Sequence, residues 1–267
     1  MTTTIALAQS SFPKDGDVVG MARGYIEQAA HEGAQLVVFP EALMTRFEES
    51  IDDFVAQAQP IDGPFVHALS QAASEHGVWI VFTMNELNPE GMPFNTAVVV
   101  DSSGVVRGTY RKVHLFDAQG HRESERMAYG ESLFNPIDSP IGKLGLAICY
   151  DLRFPEQARA AALDGAQVMV YPAAWVAGPG KVEQWIALLQ ARAIENGMYV
   201  LGCGSADEKR IGTSCVVAPN GELVACGPEG EEALLIADVD LDFVDAVRAA
   251  TPSLNHRRPS LYATAGK

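Results

Sequence analysis

The feature that most restricts how this chain can fold is an internal repeat. Gly33-Ala-Gln-Leu-Val-Val-Phe-Pro-Glu-Ala42 returns 132 positions later as Gly165-Ala-Gln-Val-Met-Val-Tyr-Pro-Ala-Ala174. Asn95-Thr-Ala-Val-Val-Val-Asp-Ser-Ser-Gly104 returns 117 positions on as Gly212-Thr-Ser-Cys-Val-Val-Ala-Pro-Asn-Gly221, and His76-Gly-Val-Trp79 as Asn196-Gly-Met-Tyr199. Within the first copy, short β-branched runs alternate with helical periodicity: Thr4 to Ala8, Val18 to His31, Leu36 to Phe39, Val66 to Glu75 and Val78 to Met84. That alternation is the pattern of an α/β fold. Thr96 to Val100 and Val105 to Tyr110, joined by the turn sequence Asp101-Ser-Ser-Gly104, read as a hairpin, so the sheet is mixed. Two such halves each offer one sheet face to the other, which predicts a sandwich of two sheets with helices outside.

No Pro/Gly/Ser-rich or strongly charged stretch divides the 267 residues, so one domain over 1–267 is expected, with a polar tail from about 251 to 267. Nineteen basic against 34 acidic residues give a net charge of −15, a field that repels phosphate backbones and anionic lipid. Nucleic-acid and membrane-surface roles are therefore disfavoured. No apolar run approaches the ~18 residues of a membrane span, and the first residues lack the basic region of a secretory signal. The four cysteines form no CxxC pair, so each is read as a free thiol in a reducing cytoplasm.

The repeat also isolates its own differences. Where one copy ends its strand in Pro40-Glu41, the other ends in Pro172-Ala173, so the strand end does not require the glutamate. A carboxylate emerging from Leu-Val-Val-Phe-Pro is either used, paired or turned to solvent. In Leu144-Gly-Leu-Ala-Ile-Cys149-Tyr-Asp-Leu-Arg-Phe-Pro-Glu156 an apolar strand meets a cysteine, and a helix follows from about Phe154. A thiol at such a turn resembles the nucleophile elbow of α/β-hydrolases, where the next backbone N–H faces a developing oxyanion. Cys203 and Cys215, inside extended apolar runs, fit core packing, and Cys226 a strand end. Alternation in Gly108-Thr-Tyr-Arg-Lys112-Val-His-Leu-Phe116 puts Tyr110, Lys112 and His114 on one face. Lys112 is then either a cation near a substrate oxygen or an exposed strand lysine. No HExxH or HxH spacing occurs, so a metal site has no support.

Val38-Phe-Pro-Glu41, Tyr110-Arg-Lys112-Val-His-Leu-Phe and Cys149-Tyr-Asp-Leu-Arg-Phe-Pro-Glu156, followed by Tyr171-Pro-Ala-Ala-Trp175, resemble the nitrilase, or carbon–nitrogen hydrolase, superfamily in order and over nearly the whole chain. The resemblance implies a four-layer αββα sandwich and a Glu–Lys–Cys catalytic set carried by Glu41, Lys112 and Cys149. It further implies a positioning glutamate at Glu123, with Glu125 as the neighbouring alternative, and requires no metal or organic cofactor. The implied reaction is hydrolysis of a non-peptide carboxamide to acid and ammonia through a cysteine thioester. Lys112 and the Tyr150 N–H would stabilise the oxyanion.

The residues after the cysteine look most like the Nit branch, which includes ω-amidases and deaminated-glutathione amidases. Arg153 either offers its guanidinium to a substrate carboxylate or pairs with Asp151 or Glu156, and Trp175 either walls the pocket or packs in the core. A carbamoyl-amine hydrolase, a small aliphatic amidase or nitrilase, and a silent binding protein on the same scaffold are the rival readings. The family generally pairs subunits, which implies a homodimer or larger even assembly with the tail on a neighbour.

Overall fold

The computed structural model describes residues 2–14, 16–46 and 48–262. The first half contains β1 (Thr2–Gln9), α1 (Val18–His31), β2 (Leu36–Val38), α2 (Ile51–Ala56), α3 (Pro64–His76), β3 (Trp79–Glu86), β4 (Phe94–Val100) and β5 (Val106–Arg111). The second contains β6 (Ile137–Ser139), β7 (Gly142–Leu146), α4 (Pro155–Leu163), β8 (Val168–Ala173), α5 (Lys181–Asn196) and β9 (Tyr199–Gly204). It continues through a ribbon of β10 (Ala206–Asp207) and β11 (Arg210–Ile211) to β12 (Cys215–Val217) and β13 (Leu223–Cys226). β14 (Ala233–Asp240), α6 (Leu241–Ala250) and α7 (Pro259–Tyr262) close the described chain.

The sheets run β14-β1-β2-β3-β4-β5 and β6-β7-β8-β9-β12-β13, six strands each. In both, three central strands are parallel and the flanking strands antiparallel. Strand by strand the halves superimpose in order and direction, with α1 and α3 matching α4 and α5. The one departure is the strand beside β1, which arrives from the far end of the chain as β14, whereas β6 leads directly into β7. The repeat thus becomes two mixed sheets flanked by helices, as expected.

Period-two alternation sorts the side chains into layers. Ile5, Leu7, Leu36, Val38 and Val81 join the core between the sheets, while their neighbours Ala6, Ala8, Val37, Ile80 and Phe82 pack under α1 and α3. With both faces covered, these strands read as unbroken apolar runs rather than alternating ones. Cys203 lies in the inter-sheet layer, where its thiol donates to the Val38 carbonyl at 3.1 Å, and burial pushes its pKa up. The hairpin turn forms as its residues require: Asp101 Oδ1 accepts from the Ser103 and Val105 N–H groups, and Gly104 takes φ 82°.

α6 is tied to the second half by Arg248, which donates to the Gly197 and Ala166 carbonyls. Beyond it the tail makes a turn and then α7, whose Leu261 and Tyr262 are half exposed. The last five residues of the expected tail lie outside the described residues. Among the described residues no helix is long and apolar enough to cross a membrane.

Because Leu36 is fully buried between the sheets, Leu36→Ala should lower the free energy of unfolding by ~2–5 kcal/mol in urea titration. Val105→Ala, at a position 52% exposed in the hairpin turn, should stay within ~0.5 kcal/mol of the parent.

Candidate active site

β2 ends at Val38, and Phe39-Pro40 carry the chain to Glu41, which is buried at the end of the first sheet. Its Oε1 accepts from Lys112 Nζ and from Asn95 Nδ2, each at 2.8 Å, and its Oε2 accepts from the Ala174 N–H at 2.9 Å. Ala174 is the repeat counterpart of Ala42, so the strand end that lost its glutamate supplies a backbone donor to the strand end that kept it.

Lys112 is 1% exposed, so it is buried and not a surface strand lysine. Its ammonium lies 2.8 Å from Glu41 Oε1 and 2.8 and 3.0 Å from the two oxygens of Glu123. Glu123 opens a 3₁₀ turn, Glu123–Glu125, and is anchored by the Phe116 N–H at 2.7 Å and by Asn95 at 3.2 Å. Glu125 instead faces outward beside Arg122, so Glu123 is the glutamate that reaches the lysine.

Cys149 sits at the head of a second 3₁₀ turn, Cys149–Arg153, three residues beyond the end of β7, with φ 46°. A non-glycine residue in the left-handed region is strained by roughly 1–3 kcal/mol and persists only where its surroundings enforce it. The amides of Cys149 and Tyr150 precede the first hydrogen bond of the turn, Asp151 N–H to the Ile148 carbonyl, so no turn carbonyl takes them.

The electrostatics assign protons. Burial opposes charge on Glu41, yet the Lys112 charge and hydrogen bonds from Lys112, Cys149 and Ala174 hold its carboxyl below the usual carboxylate range. Burial also opposes charge on Lys112, but Glu123 and Glu41 hold its ammonium well above the ordinary lysine range. Burial and the Glu41 charge push the Cys149 thiol well up. At neutral pH the resting state is therefore carboxylate, ammonium and neutral thiol.

These groups open onto a cavity of about 500 Å³ also lined by Tyr150, Arg153, Trp175 and Lys181. Arg153 pairs with neither Asp151 nor Glu156. Its guanidinium lies 4.7 Å from the Trp175 ring centroid and donates to Gln184 Oε1 at 2.9 Å. Trp175 both lines the cavity and packs on Trp185 in the core, which joins the two alternatives for it. Among the described residues no three His, Cys, Asp or Glu side chains are grouped to hold a metal ion.

Residues 4–249 match the Carbon-nitrogen hydrolase family. The chain belongs to this family. Deaminated glutathione amidase of Escherichia coli O157:H7 is 38% identical over 231 residues, covering 86% of this chain and 87% of that protein. Among solved structures, a carbon-nitrogen hydrolase from Helicobacter pylori G27 matches with TM-score 0.91 and 26% identity, over 100% of this chain and 99% of that one. Saccharomyces cerevisiae Nit3, a member of branch 10 of the nitrilase superfamily, matches with TM-score 0.85 and 33% identity, over 96% and 97%.

In this carbon-nitrogen hydrolase Tyr110 and Lys112 are both buried on either side of the exposed Arg111, as a shared face requires, and His114 is part-buried. β5 itself ends at Arg111. Lys112 turns to the glutamates, while Tyr110 and His114 meet at Asp151, for which the sequence offered only a pairing with Arg153. Asp151 is fully buried and accepts from Tyr110 Oη at 2.8 Å, the Ile148 N–H at 2.9 Å and the His114 N–H at 3.2 Å, with His114 Nδ1 at 2.8 Å. It therefore clamps the segment bearing Lys112 to the turn bearing Cys149. Asn95, bridging both glutamates, is the other residue that sequence reading missed. Asp151 lies two residues after Cys149 and Asn95 lies near the start of β4, but neither has a distinguishing spacing.

Replacing the Asp151 acceptor with a second donor group should cost at least ~2 kcal/mol of stability in Asp151→Asn and slow alkylation of Cys149 by iodoacetamide. Since the Glu41 carboxyl is held low and the Cys149 thiol high, thiolate absorbance from Cys149 should be absent as pH passes ~8.5, where a free cysteine is half ionised. The difference spectrum between wild type and Cys149→Ala measures it.

Proposed function

We propose that the protein is an amidase that hydrolyses a small carboxamide bearing a remote carboxylate, through a thioester on Cys149. The observation that carries this reading is the buried contact of Lys112 with Glu41 and Glu123 beside a strained cysteine at the cavity floor.

In this mechanism Glu41 takes the thiol proton as sulfur attacks the amide carbon. Ionising the thiol alone would set three anions around one cation, whereas passing its proton to Glu41 keeps the count at two. The oxyanion that forms is stabilised by Lys112 Nζ and the Tyr150 N–H. The C–N bond then breaks as Glu41 returns the proton to the departing nitrogen, and ammonia leaves. Water, deprotonated by the same carboxylate, attacks the thioester and releases the acid and the thiol. Glu123 keeps Lys112 charged and aimed.

Substrate charge follows from the cavity mouth. Glu48 occupies Arg210 and lies 3.7 Å from Lys209, and Glu125 occupies Arg122. Arg153 and Lys181 instead donate to the neutral amides of Gln184 and Gln119, and neither has an ion pair with a described carboxylate. Burial and the neighbouring Arg153 charge press the Lys181 ammonium below the ordinary lysine range, a repulsion that a bound carboxylate relieves. The name of the Escherichia coli relative, an amidase of deaminated glutathione, supports an anionic amide. Four free thiols fit a cytoplasmic setting, and an even homo-oligomer is part of the same reading, with light scattering at micromolar concentration as its check.

Cys149→Ala should abolish ammonia release, while Glu41→Gln and Lys112→Met should each lower kcat by at least ~10²-fold with the fold intact by circular dichroism. Substantial turnover by any of the three removes that residue from the mechanism. On a panel of amides, ω-amido acids, carbamoyl amines and nitriles, succinamate should exceed butyramide by about one to two orders of magnitude in kcat/KM, the worth of a charge-assisted pair. Arg153→Ala should erase most of that gap. A wild-type preference for butyramide or a carbamoyl amine rejects the anionic-amide reading.

A further inference from the structure

Far along the chain from the glutamates, the second sheet ends in a pair of cysteines that the proposed reaction does not use. Cys215 on β12 and Cys226 on the edge strand β13 are direct cross-strand partners, with Sγ atoms 2.9 Å apart. The ladder position decides what such a pair can do. The Gly227 N–H donates to the Ser214 carbonyl at 2.8 Å, so the ladder bond flanks the pair instead of joining it. Cys215 and Cys226 are thus a non-hydrogen-bonded antiparallel pair, the class whose Cα atoms stand ~4.5 Å apart, at the short end of disulfide spans. The existing register already sets the two side chains opposite each other, with their sulfurs in contact.

Access to the two sulfurs is unequal. Cys226 is exposed on the sheet edge, and Cys215 is fully buried beneath it. The hydrogen bond with Cys215 lowers the Cys226 thiol to about 7, which favours the thiolate on the exposed sulfur. The same contact, together with burial, pushes the Cys215 thiol up. An exposed attacking thiol beside a buried resolving thiol is the arrangement of a dithiol that exchanges with small disulfides.

We infer that Cys226 and Cys215 are a reversible oxidation site that reacts with low-molecular-weight disulfides in preference to the buried nucleophile Cys149. The Cys226 thiolate attacks one sulfur of the small disulfide, whose S–S bond breaks, and the first small thiol leaves. Cys215 then gives up its proton to solvent and attacks Cys226 Sγ, displacing the second small thiol. Two protein thiols are oxidised and one small disulfide is reduced to two thiols. Cys149 stays reduced because its thiol is buried at the cavity wall and held protonated. The inference does not depend on the amidase reading.

The test uses the full chain, oxidised glutathione as the small disulfide, and an N-ethylmaleimide quench, read by intact mass and peptide mapping. Wild type should lose two hydrogens between Cys215 and Cys226, keep Cys149 alkylatable after denaturation, and recover both thiols with dithiothreitol. Cys215→Ala should stop at a stable glutathione adduct on Cys226, and Cys226→Ala should leave Cys215 unmodified. A persistent adduct on wild-type Cys226, modification of Cys149 before the pair, or no reaction at all overturns the inference. The wild-type result alone is decisive if either variant fails to fold.

Discussion

The rest of this structure depends on one buried cation. An ammonium withdrawn from water costs several kcal/mol unless it is paired and fully hydrogen-bonded, and Lys112 meets that demand with three carboxylate contacts from Glu41 and Glu123. Their positions come from different places: the end of β2, the continuation of β5, and a 3₁₀ turn anchored by the Phe116 N–H. The Ala174 N–H from the second half completes Glu41. The charge cluster is fully satisfied only with the two halves together, because one of the donors to Glu41 comes from the second half.

Charge also governs the neighbouring sulfur. With two carboxylates and one ammonium already present, a thiolate at Cys149 would add a second uncompensated negative charge in a dry setting, and the thiol is held protonated. The backbone there is strained, as is Ala42 immediately after Glu41, with φ 61°. Asp151 offsets the strain at the cysteine turn. It binds the Ile148 N–H on one side and Tyr110 and His114 on the other, fixing the distance between the two chain segments on which the proposed chemistry rests.

The cavity sets a local field against the global one. A net charge of −15 repels anions at long range, a repulsion that physiological salt screens beyond ~8 Å. Within that distance the cations count individually. Arg210 and Arg122 are matched by Glu48 and Glu125, and the unmatched Arg153 lies against the Trp175 face, which holds its guanidinium at the mouth without neutralising it.

The amino-acid sequence by itself determined the architecture, because a repeated pattern of apolar runs and turns is local information. Each strand buried on both faces needs an unbroken apolar run, and two copies can bury their faces only against each other. It also marked Glu41 through the mismatch with Ala173, and Cys149 through a polar turn after an apolar strand. Only the tertiary structure decided which glutamate of Glu123 and Glu125 reaches Lys112, where Arg153 rests, and that Asp151 and Asn95 hold the site together. Those outcomes depend on contacts between residues far apart in the chain, from Asp151 to Tyr110 and from Asn95 to Glu41. The pairing of Cys215 with Cys226 was decided the same way, since strand register fixes it and no spacing between cysteines announces it.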